Sequence, residues 1–158
     1  MDSAYMGLQR SEYVKWLQED LAANGKEWNI LLCHYPLYPA VDQDQDLARA
    51  KAQRKIWDGV LNAADVDLVL CGHQHLYMRS CPVAGGSVAE DGVIHIMTSS
   101  GSIYSGGAGD FDYIKTSYAQ GASFCYFNIT GSQLTMTAYG RENQVIDTLS
   151  LDCSDEAK

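Results

Sequence analysis

Basic residues are scarce in this chain: 11 Lys and Arg stand against 20 Asp and Glu, for a net charge of −9. A nucleic-acid grip normally shows as a basic patch, so the charge balance excludes nucleic acid as a partner. The one basic cluster, Arg49, Lys51, Arg54 and Lys55, falls in a single predicted helix and reads as its solvated face. Long apolar runs are also missing. None approaches the ~20 residues of a membrane-spanning helix, and the opening MDSAYMGLQR carries no apolar signal core. The five cysteines, Cys33, Cys71, Cys81, Cys125 and Cys153, form no CxxC pair, which excludes a zinc finger or a thioredoxin motif. Their odd number excludes complete internal pairing. It leaves open one bridge through Cys81 or Cys153, and with it the redox compartment. With 46% apolar and 20% charged residues, the composition is that of a globular protein rather than a collagen, a coiled coil or a disordered chain. An acidic surface repels anionic substrates at long range. If this protein handles phosphate, a local positive source is required, and a bound metal is the obvious one.

A length of 158 residues predicts one domain, over residues 1–153, with the polar tail 154–158 frayed. A helix is predicted over residues 8–24, where Tyr13, Trp16, Leu17 and Leu21 recur at three- and four-residue spacing. The apolar run 28–33 reads as a strand buried on both faces, stopping at His34. Residues 35–46 read as a loop. A second helix follows over 47–64, with Ile56, Trp57, Val60, Leu61 and Ala64 on its apolar face. Residues 66–71 make another buried strand, stopping at Gly72-His73. Strand, helix, strand is a βαβ unit with parallel strands and a right-handed crossover. Beyond Gln74 the texture turns to β, with runs at 76–80, 93–98, 123–130, 133–139 and 145–151. Gly131-Ser132 marks a hairpin, and the Gly/Ser-rich 99–109 a loop. The expected class is α/β, one βαβ unit followed by mostly antiparallel strands.

Of four histidines, His34 and His73 each follow the carboxyl end of a predicted parallel strand, the edge where open α/β sheets bind ligands. His75 lies two residues beyond His73, on the same side if the segment is extended, and Gly72 permits a sharp turn. Three imidazoles converging on one edge would suit a transition metal. Other residues carry weaker signals. Tyr35 and Tyr38 are candidates for substrate contact, with aromatic packing as the ordinary alternative. Asp42, Asp44 and Asp46 form D-x-D-x-D but lack the Gly and Glu of a calcium loop, so a solvated acidic loop is expected. His95 alternates with Val93 and Met97 and reads as a core or supporting histidine. Arg79 is a candidate to pair with a carboxylate. Asn128-Ile129-Thr130 matches a glycosylation acceptor but falls in a predicted strand.

The segment VDLVLCGHQHLYMRSCPV, residues 66–83, resembles the GHxH block of the calcineurin-like metallophosphoesterases, and most of all their purple acid phosphatase branch. Tyr77, Arg79 and Ser80 match that branch, while Met78 stands where a Glu is usual. The stretch SEYVKWLQEDLAANGKEWNILLCHYPLY resembles the helix and strand that lead to the family's single metal-binding His. The resemblance covers nearly the whole chain. It implies the C-terminal half of a four-layer α/β/β/α sandwich, with His34 and His73 on one metal and His75 on a second. The implied cofactors are two divalent or trivalent ions (Fe, Zn or Mn), and the implied reaction is hydrolysis of a phosphate ester by a metal-activated hydroxide. It also favours a secreted or cell-envelope location. The family's carboxylate blocks, D-x-H or D-x-x-Y, GDxxD and GNH, do not occur here, and residues 1–3 look like the strand tail that follows them. The chain is therefore expected to lack activity alone, and to self-associate through surface exposed by truncation. The competing reading is an inactive remnant or binding module.

Overall fold

The computed structural model describes residues 11–98, 101 and 106–154. Residues 1–3, the first residues of the predicted opening helix (8–10), most of the Gly/Ser loop (99–100 and 102–105) and the tail 155–158 lie outside the described residues.

Helix α1 (Ser11–Ala22) buries Leu17, with Val14 and Leu21 partly covered beside it. Tyr13 and Trp16, expected on that face, are exposed instead, because the face that meets the core is centred on Val14, Leu17 and Leu21. Helix α2 (Asp44–Ala63) begins three residues earlier than predicted and packs Trp57 and Leu61 inward, with Ile56 and Val60 partly buried. Between the helices runs strand β1 (Ile30–Leu32), paired in parallel with β2 (Leu68–Cys71) in the register Ile30↔Leu68 to Leu32↔Leu70. That is the predicted βαβ unit. Strand β1 is not buried on both faces, however. It is the edge of its sheet, and Leu32 is 62% exposed.

Strands β3 (Tyr77–Ser80), β6 (Ile94–Met97) and β7 (Ile114–Tyr118) complete a five-stranded sheet in the order β1-β2-β6-β3-β7. A small hairpin, β4 (Val83–Ala84) and β5 (Ser87–Val88), lies between β3 and β6 in sequence. Strand β7 falls where no strand was expected and pairs antiparallel with β3, while β6 runs parallel to β2. Strand β6 thus enters the centre of the sheet, where all four of its residues are buried. Strands β8 (Phe124–Thr130), β9 (Gln133–Tyr139) and β10 (Val145–Asp152) form a separate antiparallel sheet. The predicted Gly131-Ser132 turn joins β8 to β9, with Gly131 at a φ of 57° that suits glycine.

Two apolar layers hold this arrangement. Leu17, Leu31, Trp57, Leu61, Val66 and Val69 pack the helices on one face of the larger sheet. On the other face, Leu68, Tyr77 and Ile96 meet Leu134, Met136 and Ala138 of the smaller sheet. The layers are helix, sheet, sheet, and the class is α/β. A polar clamp crosses the two sheets. Arg79 donates from Nε and Nη2 to the Asp147 carboxylate at 2.6 and 2.9 Å, and Tyr77 Oη donates to the same carboxylate at 2.5 Å. Burial pushes the Asp147 carboxyl up, but the bonds from Arg79 and Tyr77 outweigh it and hold the group below its ordinary range. Tyr77→Phe removes one charge-assisted bond and is expected to cost about 1.5–3 kcal/mol, seen as a lower urea midpoint. An unchanged midpoint would show that Arg79 and the Thr148 N–H satisfy Asp147 without the tyrosine.

Candidate functional site

The ladder between β1 and β2 continues past both strands. Cys33 N–H donates to Leu70 O, and Gly72 N–H donates to His34 O, each at 3.0 Å. This pairing carries His34 and His73 out of the sheet side by side, with ring centroids 5.3 Å apart and nearly perpendicular. Tyr35 completes an aromatic group, its ring 4.2 Å from that of His73 and 5.0 Å from that of His34.

His73 does not sit in an extended segment. Its φ is 70°, and Gln74 N–H donates back to Gly72 O at 2.9 Å, closing a three-residue turn around it. A non-glycine residue in such a conformation carries strain of order 1–3 kcal/mol and persists only where its surroundings over-determine it. The next turn closes with Leu76 N–H on Gln74 O, again at 2.9 Å. His75, the central residue of this second turn, is exposed. The chain therefore brings His34 and His73 together as a pair. Among the described residues no group of three or more His, Cys, Asp or Glu is arranged to hold a metal ion.

What over-determines His73 was missed in the sequence. Asp46, expected in a solvated acidic loop, lies in the first turn of α2 and is only 6% exposed. Its Oδ1 is 3.0 Å from His73 Nε2, and its Oδ2 accepts from Gln74 Nε2 at 2.7 Å. Asp42 and Asp44 are exposed as expected. Gln74, also buried, accepts at Oε1 from the backbone N–H groups of Ala40 and Val41 at 2.7 and 2.9 Å. Arg49 lies 3.4 Å from Asp46 Oδ1 and stacks its guanidinium 3.9 Å over the Tyr35 ring. The supposed solvated basic face is thus split. Lys51 and Lys55 are exposed, while Arg54 turns inward over Tyr38 and donates to Leu37 O. An acid early in a helix and a Gln between two His were the only signals for this group, and neither has intrinsic specificity.

The remaining candidates fall into the core. Tyr38 is fully buried. Its hydroxyl donates to Asp58 at 2.8 Å and accepts from Gly86 N–H at 3.2 Å, so it packs rather than meeting a ligand at the surface. His95 is buried against the Tyr38 ring at 4.7 Å, and neither of its ring nitrogens has a hydrogen-bond partner among the described residues. Burial, with the nearby Arg54 charge, pushes its pKa down to about 3. Burial raises the Cys33 thiol to about 11 and pushes Cys71 well up, in keeping with small apolar fillers. The five cysteines are free.

A family profile for calcineurin-like phosphoesterases matches residues 3–77. Purple acid phosphatase 22 of Arabidopsis thaliana is 31% identical over 94 residues, which span 58% of this chain and 21% of that protein. The chain thus spans about a fifth of the length of this curated relative. Among solved structures, the purple acid phosphatase PPD1 from yellow lupin seeds superimposes with a TM-score of 0.74 at 19% identity, covering 90% of this chain and 28% of that one. GAP50, the anchor in the inner membrane complex of Plasmodium, gives a TM-score of 0.77 at 17% identity, covering 99% of this chain and 49% of that one. These two likenesses establish the fold.

Proposed function

We propose that this chain belongs to the calcineurin-like phosphoesterase superfamily, on its purple acid phosphatase branch, and that it forms the imidazole-bearing part of a metal-dependent phosphoester hydrolase. The observation that carries the reading is the pairing of His34 and His73 beyond the carboxyl ends of two adjacent parallel strands. Two neutral imidazoles fit as part of a metal site by donor chemistry. They do not complete one, since no three-donor group occurs among the described residues. The carboxylate ligands would come from the rest of the whole protein.

In this reading His34 and His73 hold one ion and His75 a second, the pair being divalent or trivalent Fe, Zn or Mn. Such ions supply Lewis acidity toward a phosphoryl oxygen and a positive field that a chain of net charge −9 lacks. The chain's own residues set the frame around them. In this reading Tyr35, half-buried between the His pair and Arg49, contacts the ester, whereas Tyr38 is buried and bonded to Asp58 and Gly86.

The test is an aryl phosphate assay on the whole protein with added Fe, Zn or Mn. Turnover that a chelator abolishes is expected, with negligible turnover from the 158 residues alone. Hydrolysis indifferent to chelation would overturn the reading. No hydrolysis with any of these metals would favour the alternative of an inactive binding module.

A further inference from the structure

We infer that Asp46 is a positioning residue for His73: it holds the imidazole in the tautomer with its hydrogen on Nε2, leaving the lone pair on Nδ1. The inference deepens the metallophosphoesterase reading and rests on it for its consequence, though not for its geometry.

The proton accounting is local. Gln74 Nε2 and Arg49 Nη1 are obligatory donors, and both address the Asp46 carboxylate, at 2.7 and 3.4 Å. The carboxylate oxygens are therefore acceptors in this cluster. His73 Nε2, 3.0 Å from Oδ1, must bring the hydrogen. In a neutral imidazole the other nitrogen is then the acceptor, so Nδ1 is the only nitrogen of His73 with an electron pair for a ligand.

The carboxylate is itself immobilised. It stands in the first turn of α2, and its other oxygen is held by Gln74, whose Oε1 receives the Ala40 and Val41 N–H groups. One buried amide thus ties three places together: the helix start, the loop before it and the turn that carries His73. The backbone at His73, with a φ of 70°, is held by the same turn. A ring whose backbone and Nε2 are both fixed has one way left to present Nδ1. A carboxylate behind a ligating His commonly plays this part, and its loss typically costs about 10–100-fold in metal affinity.

The experiment is long-range proton–nitrogen NMR of the 15N-labelled, metal-free 158-residue chain at mildly alkaline pH. His73 is expected to show a protonated, pyrrole-type Nε2 and an unprotonated, pyridine-type Nδ1. In Asp46→Ala the two signals should move toward each other as the tautomers mix. Asp46→Asn, which keeps one carbonyl acceptor, should restore most of the difference. A wild-type His73 protonated on Nδ1, or an unchanged His73 signature in folded Asp46→Ala, would overturn the inference. If the alanine variant fails to fold, the wild-type tautomer decides alone. Zinc titration of the whole protein and its Asp46→Ala form separates the two claims, with about 10–100-fold weaker binding expected. Unchanged affinity beside an altered tautomer would count against His73 as a metal ligand, while leaving Asp46 as its orienting partner.

Discussion

In the metal-loaded whole protein, replacing His73 and His75 together by Ala is expected to lower aryl phosphate turnover by at least ~10³-fold. Lewis-acid stabilisation of a phosphoryl group is worth several kcal/mol, and each ~1.4 kcal/mol is tenfold in rate. Removing one proposed ligand from each of two ions should forfeit that term. The fold should survive. His75 is exposed, and the layers that hold the sheets together include neither histidine. Asp46 would lose the His73 contact but keep Gln74 and Arg49. Circular dichroism and a urea midpoint check that point alongside the assay. Retained turnover in a folded double variant would remove both histidines from the site.

The second large effect concerns acid. His95 is buried with both ring nitrogens unpartnered among the described residues, and its pKa is pushed down to about 3 by burial and by Arg54. The groups near it are Tyr38, whose hydroxyl is bonded to Asp58, and Arg54. Among the described residues no acceptor is bonded to either ring nitrogen, so a protonated ring gains no partner. The unfolded chain takes up a proton near the ordinary value of about 6.5, whereas the folded chain does not. Stability from this group is therefore intact above pH ~6.5 and falls as pH drops toward 3, by about 1.4 kcal/mol per unit. Between pH 7.5 and 4.5 the loss should reach about 3 kcal/mol. Asp147 acts in a lower window, since its depressed pKa makes it lose stability only below the ordinary carboxylate range. His95→Leu isolates the histidine. Leucine breaks no hydrogen bond of the ring, so the variant should match or exceed wild type at pH 4.5 in urea denaturation. An identical fall with pH in both proteins would show that His95 is not the group that titrates.

The parts legible in advance were those with short-range signals. Helix periodicity marked α1 and α2, and apolar runs cut off at His34 and Gly72-His73 marked the two parallel strands. Yet the same periodicity put Tyr13 and Trp16 on the wrong face of α1, because which side meets the core depends on where α2 lies. The run before His34 read as fully buried, but an edge strand has no neighbour on one side, and nothing in the run itself says so. Strand β6 looked like one more antiparallel strand. Its parallel pairing with β2 comes from the chain returning through β3 and the small hairpin, a matter of connection rather than composition.

The family resemblance, the α/β order and the two histidines set at strand ends were legible in local sequence: a GHxH block and a buried run carry their meaning within a few residues. What surrounds those histidines was decided by tertiary structure alone. Asp46 and His73 are 27 residues apart in sequence, and an acid in D-x-D-x-D looks no different whether it faces water or an imidazole. Only the packing of α2 against the sheet excludes water from Asp46, and a carboxylate shut away from water must find its donors in the protein. Here it finds them in the turn that carries His73 and Gln74.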